Sequence, residues 1–239
     1  MLLLLVFVIA IGVLVGVLLH RRITSRHSAE EASAFNNKPE SPLFFDNPRA
    51  WLAIKSDDPR QVQAALKLHH AVACSWSEGL ERAAAENLFV SPPIAGWVLV
   101  FGTSLPEPGD DIDDFHAFIR NLSRQVGLVL YFSAQPVFYH HAWIKVLDGQ
   151  VVRAYAWGDQ TLWNQGDLTQ AEHDLLLRTR PYGDPPADSL PRVREAARRN
   201  CDKVPQLAAR WSIDPKSIDM NFLSQETGIA GEFIHSKPH

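Results

Sequence analysis

Residues Phe138–Asp159, FYHHAWIKVLDGQVVRAYAWGD, constrain the chain more than any other stretch. Two runs rich in aromatic and β-branched residues flank Asp148-Gly149. Asp-Gly is the strongest short-range signal for a two-residue hairpin, because that turn needs positive φ at both central positions. With the loop at 148–149, Leu147 faces Gln150 and a regular ladder extends from there. Trp143 then opposes Ala154, Ala142 opposes Tyr155 and His141 opposes Ala156, so larger residues meet smaller ones across the pair. In that register His140, Arg153, Tyr155 and Trp157 share one face, and Trp143, Val152, Ala154 and Ala156 share the other.

A helix and two further strands precede the hairpin. Gly96–Gly102 is a continuous apolar run between glycines, the pattern of a central strand covered on both faces. Over Asp110–Val126, Ile112, Phe115, Phe118, Ile119, Leu122 and Val126 form one apolar stripe. Asp110, Asp111, Asp113 and Asp114 crowd the start of that helix, with Arg120 and Arg124 in its last turn and Gly127 as its cap. Each charge complements the helix dipole, and Arg120 is expected in solvent. Leu128–Phe132 is a strand that Pro136 ends. The stripe is expected to pack on the Trp143/Val152/Ala154/Ala156 face, where alanines leave room for phenylalanines.

Upstream, Asn47-Pro48 and Asp58-Pro59 each place a capping side chain before a proline, so 44–68 reads as two short helices. Cys74–Val90 reads as irregular or partly helical. Downstream, Thr169-x-x-Glu172 is a capping box opening a helix to about Arg178. Pro181–Pro191 is loop, and 192–200 and 204–210 read as two helices. The fold class is α+β: a small, mainly antiparallel sheet in the order strand-helix-strand-strand-strand, flanked by N- and C-terminal helices.

The N-terminus carries a second strong signal. Met1–Leu19 has no charged residue, and as a helix it is about 28 Å long at ~1.5 Å per residue, close to the hydrocarbon thickness of a bilayer. No basic residue precedes the run, and His20-Arg21-Arg22 come directly after it, which favours an uncleaved signal-anchor over a cleaved signal peptide. Arg21, Arg22 and Arg26 place the remainder of the chain on the cytoplasmic side. The organisation expected is therefore a transmembrane anchor at 1–20, a polar tether at 21–41, one α+β domain at 42–220 and a tail at 221–239. Of 23 Lys/Arg and 27 Asp/Glu, four and two fall in the first 39 residues. The remainder has 19 basic and 25 acidic residues, a net charge of −6. That balance opposes nucleic-acid binding and adhesion to anionic lipid by bulk charge.

Candidate chemistry is sparse. The two cysteines, Cys74 and Cys201, are far apart in sequence, and a reducing compartment keeps them as thiols. Cys74, then His140 or His141, then Asp159 is the order of a thiol hydrolase, in which an imidazole deprotonates the nucleophile. Ala73-Cys74-Ser75-Trp76 lacks the glycine that such nucleophile motifs place nearby. Adjacent histidines, His69-His70 and His140-His141, diverge on strand or helix, so neither pair reads as a metal site, and no cofactor signature is present. The hairpin face carrying His140, Arg153, Tyr155 and Trp157 reads in two ways. It is a surface for another protein, since aromatics and arginine anchor interfaces; or it is covered by helices, with Arg153 and Asp159 paired at its rim. The function expected is a membrane-tethered protein-binding module, adaptor- or inhibitor-like. The alternative is a small hydrolase or transferase using His140, with Cys74 as nucleophile and Asp159 as orienting group.

Overall fold

The computed structural model describes residues 49–85, 87–184, 191–214, 218 and 226–234, all within a unit spanning Pro42–His239. The expected anchor and tether, and the Asn47-Pro48 helix start, lie outside them. None of the described helices is long and apolar enough to cross a membrane.

In chain order the elements are β1 (Ala50–Lys55), α1 (Pro59–Ala65), β2 (His69–Cys74), α2 (Trp76–Ala84), β3 (Asn87–Val90), β4 (Trp97–Phe101) and α3 (Ile112–Val126). Next come β5 (Leu128–Gln135), β6 (His140–Leu147), β7 (Gln150–Gly158), β8 (Gln160–Gln165), α4 (Gln170–Asp174), α5 (Pro191–Trp211) and β9 (Gly228–Glu232). The strands form one sheet in the order β2-β9-β3-β4-β1-β5-β6-β7-β8, and every pairing among the described residues is antiparallel. The α+β class holds, with a larger sheet than expected.

Four strands correct the sequence reading. Ala50–Lys55 is not helical: β1 sits between β4 and β5, with Trp51 and Ala53 in one core and Leu52 and Ile54 in the other. A strand buried on both faces loses its alternation and is ambiguous as a short apolar run. His69–Cys74 and Asn87–Val90 are likewise strands, with α2 between them. Gly228–Glu232, expected in a tail, is inserted between β2 and β3. Its five residues carry little apolar surface of their own and owe their place to the backbone pairs they complete.

Helices cover both faces. On one, α3 packs on Ala142, Ile144, Val146, Ala154 and Ala156 through Phe115, Ile119 and Leu122, while α1 packs through Val62 beside α3 and over β3 and β9. On the other, α5, α4 and α2 cover Trp51, Phe89, Phe132, Trp143, Tyr155 and Trp157. The expected breaks mostly hold: Asp58 caps α1, and Asp111 Oδ1 accepts from the Asp113 and Asp114 amides at 3.0 Å each. The capping box at Thr169 is complete, but its helix ends at Asp174 rather than Arg178. The two helices expected at 192–210 are one, α5, which carries Pro205 inside it. Val193, Ala197, Val204, Leu207 and Ala208 pack on the sheet along its length, which offsets the lost amide donor of the proline.

The hairpin begins as expected and then slips. Asp148 and Gly149 have φ of +49° and +77°, and Leu147 pairs with Gln150. The turn is held by α3: Arg120 Nε donates to Gly149 O at 2.8 Å, and Ser123 Oγ accepts from Gly149 N at 3.1 Å. Arg120 is therefore half-buried, not solvated. Val146 pairs with Val151 but Lys145 pairs with Arg153, so Val152 is an extra residue in a β-bulge and 45% exposed. Gly166, at φ +78°, leaves room for the bulge; a Cβ there would lie 2.3 Å from Val152 O. Beyond it Trp143 opposes Tyr155, Ala142 opposes Ala156 and His141 opposes Trp157. One inserted residue exchanges the faces. Arg153, Tyr155 and Trp157 do share a face, but with His141 and Trp143 rather than with His140.

Candidate functional site: a cationic cleft above the hairpin

The bulge points Arg153 into the core beneath α4, where it is 1% exposed. Its Nε lies 2.9 and 3.2 Å from the two oxygens of Glu172, itself fully buried. Glu172 Oε1 also accepts from Trp143 Nε1 at 2.7 Å, and Oε2 accepts from Thr169 N and Oγ1 at 2.8 and 2.9 Å. Arg153 Nη1 reaches Ala154 O, Asn164 Oδ1, Gln165 O and Gly166 O at 2.8 to 3.3 Å. The capping-box glutamate thus closes a buried ion pair that ties α4, the hairpin and β8 together. Arg153 serves the fold here and pairs with Glu172, not Asp159.

A second buried group lies beside it. His141 Nδ1 is 2.9 Å from Tyr139 O, and a carbonyl can only accept, so this nitrogen carries the proton. Nε2 is then bare and accepts from Asn200 Nδ2 at 3.1 Å. Asn200 also donates to Arg178 O at 2.7 Å and accepts from Arg178 N at 3.0 Å, a backbone-like pairing that holds segment 175–184 against α5. Cys201 Sγ is 3.7 Å from His141 Nδ1 and 3.4 Å from His140 O. Cys, His and Asn meet here, yet the imidazole offers the sulfur no lone pair. Burial pushes the Cys201 thiol up to about 12 and the His141 imidazole down to about 4. A neutral histidine and an un-ionised, enclosed thiol do not make a nucleophile pair.

The other candidates are dispersed. Cys74 lies on edge strand β2, packed with Trp76, Leu80 and Phe89, and burial raises its thiol. Six strand spacings separate β2 from β6, about 29 Å at the usual ~4.8 Å interval, so Cys74 and His140 do not meet. His140 projects to the opposite face from His141 and is half-exposed, its Nε2 3.4 Å from Asp159 Oδ2. The hollow beside it, lined also by Glu107, Ser133 and Gln135, holds about 30 Å³. Among the described residues no group of His, Cys, Asp or Glu is arranged to hold a metal ion.

Tyr155 and Trp157 do reach a cavity. Segment 178–182 crosses the sheet edge as a strap: Tyr155 OH accepts from Arg180 N at 3.2 Å, Thr161 Oγ1 donates to Arg180 O at 2.9 Å, and Tyr182 OH accepts from Asn164 N at 2.7 Å. Between strap and α5 lies a cleft of about 520 Å³, with His141, Tyr155 and Trp157 as its floor. Arg178, Thr179 and Arg180 form one wall, and Arg192, Val193, Ala196, Ala197 and Asn200 the other. A second lobe of about 490 Å³ shares Arg178, Arg192, Ala196 and Asn200 and adds Leu176, Glu195, Arg199 and Lys203.

Charge in the cleft is one-sided. Arg180 pairs with Asp184 at 3.0 Å and Arg199 with Glu195 at 2.9 Å. Arg178 and Arg192 face no carboxylate among the described residues. Arg180 also lies over the Trp157 ring at 5.6 Å, and its buried Nε and the buried Trp157 Nε1 find no acceptor among the described residues. Burial pushes the Tyr155 phenol up to about 12, so it stays neutral.

Sequence reasoning missed Glu172 as an ion-pair partner, Asn200, Cys201 and the cleft arginines. The capping box flagged Glu172 locally, and six arginines between 178 and 199 against three acids were visible; their convergence on Trp157 is tertiary. Comparison with protein-family models, curated proteins and solved structures found no match.

Proposed function

We propose that this chain is a membrane-tethered binding module, anchored through residues 1–19, whose cytoplasmic α+β domain docks another protein in the cleft between α5 and the 178–182 strap. The observation that carries the reading is the surplus of positive charge there: Arg178 and Arg192, without carboxylates among the described residues, on either side of an aromatic floor. Guanidinium groups without an internal counter-ion, converging on a concavity with an aromatic floor, mark a place for an acceptor from outside. Aromatic and arginine side chains are also the groups that anchor protein interfaces.

A benzoyl-phenylalanine photocrosslinker at Leu176, 68% exposed on the cleft rim, tests this in native membranes. One predominant protein adduct is expected there, and none from the same probe at Ala117 on α3. An equal yield from both positions, or no adduct, overturns the reading.

One contact favours a second reading, a hydrolase or transferase working through His140: the 3.4 Å approach of His140 to Asp159. A general base needs a substrate-sized space beside it. The 30 Å³ hollow at His140 is room for about one water molecule. The binding reading therefore stands first.

A further inference from the structure

We infer that the cleft recognises a carboxylate: its occupant is an acidic peptide segment of the partner, with an aspartate or glutamate next to an apolar side chain. This rests on the binding-module reading and adds the chemistry of recognition. Arg178 and Arg192 stand on opposite walls, each without a carboxylate among the described residues. A guanidinium presents a planar fork of donors that a carboxylate matches with two parallel hydrogen bonds. Apolar surface lies between the arginines, from Trp157 in the floor and from Val193 and the half-buried Ala196 on the α5 wall.

Arg180, which also lines the cleft, keeps its cationic head over the Trp157 ring at 5.6 Å and adds to the positive charge there. Residue types on the walls exclude a cationic or purely apolar ligand, since either would leave these groups desolvated and unpaired. A polyanion fits less well than a single acidic side chain. Residues 40–239 carry a net charge of −6, which repels nucleic acid and anionic membrane beyond the local patch, while one or two carboxylates are held inside it.

The test uses the full-length protein in dodecyl maltoside and a fluorescein-labelled hexapeptide, Gly-Ser-Asp-Phe-Asp-Gly, monitored by fluorescence anisotropy. The aspartate peptide is expected to bind about tenfold or more tightly than its asparagine counterpart, with affinity falling as salt is raised. Arg178→Glu with Arg192→Glu is expected to remove that preference, and Lys67→Glu, at the cavity beside α1, to leave it intact. Equal affinity for the two peptides, no binding of either, or a preference that survives the double charge reversal overturns the inference. Inorganic phosphate that displaces the peptide at equal or lower concentration also overturns it, because the apolar surface of the cleft would then contribute nothing. The Leu176 adduct reports on docking separately, so the carboxylate can fail while the binding module stands.

Discussion

Arg153 and Arg178 lie on the same side of the sheet and have opposite surroundings. Arg153 is enclosed and spends Nε and Nη1 on six acceptors, with only Nη2 unmatched. Arg178 is exposed, and its backbone is pinned by Asn200 while its side chain faces a cleft. The difference is one of local acceptors. The capping box and the bulge deliver Glu172 and four further oxygens to Arg153, and nothing comparable among the described residues reaches the Arg178 side chain. An arginine whose demand is met internally holds the fold; one whose demand is left over is available to a ligand.

The sharpest way to break that contrast is to unmatch the buried pair. Glu172→Ala leaves Arg153 buried without its counter-ion and is expected to destabilise by about 3–5 kcal/mol in urea unfolding. Replacing both partners together with Met and Leu should recover most of that loss. If Glu172→Ala is near neutral, the pair is not a keystone of the fold.

Acid should act next. The His141 imidazole is held down to about 4 in the folded chain by burial, against 6.5 ordinarily. Its contribution is complete above the unfolded value and is lost as pH falls from 6.5 towards 4, by about 2 kcal/mol at pH 5. His141→Asn should flatten the stability profile over that window. Asn200→Ala strips partners from His141 and from the Arg178 backbone and should destabilise by about 1–3 kcal/mol. Because Asn200 ties the enclosed region to the open one, this variant should also weaken cleft binding.

Gly149→Val should cost about 1 kcal/mol or more, since a β-branched residue resists the +77° φ of the turn. The smallest effect belongs to the cleft. Arg178→Glu should change stability by less than about 0.5 kcal/mol, as for other surface sites, while altering binding.

Legibility in the sequence tracks the range of the forces. The Asp148-Gly149 turn, the α3 stripe, the Asp111 cap and the Thr169–Glu172 box are set by neighbours within a few residues, and all are present. Val152 marks the limit of local reading. Nothing in VVRAYAW announces that one valine is left out of the ladder, yet that residue moves Trp143 to the face opposite α3 and replaces His140 with His141. β1 and β9 are hidden in the sequence for opposite reasons, one apolar on both faces and one nearly featureless. Chain order pairs a cysteine with His140 or His141 but selects the wrong cysteine, since His141 meets Cys201 from α5, 60 residues away, rather than Cys74. The cleft is legible only as a density of arginines.

The most direct measurement monitors the indole N–H of Trp157 by ¹⁵N NMR while the aspartate hexapeptide is added. Trp157 lines the cleft floor, so a carboxylate bound there changes the environment of its indole. The Trp157 indole resonance is therefore expected to shift in proportion to occupancy, with the Trp163 indole, bonded to Gln165 at 3.1 Å away from the cleft, unmoved, and with no change on adding the asparagine peptide. A Trp157 resonance indifferent to the carboxylate, or one that moves equally with both peptides, would contradict carboxylate recognition in the cleft.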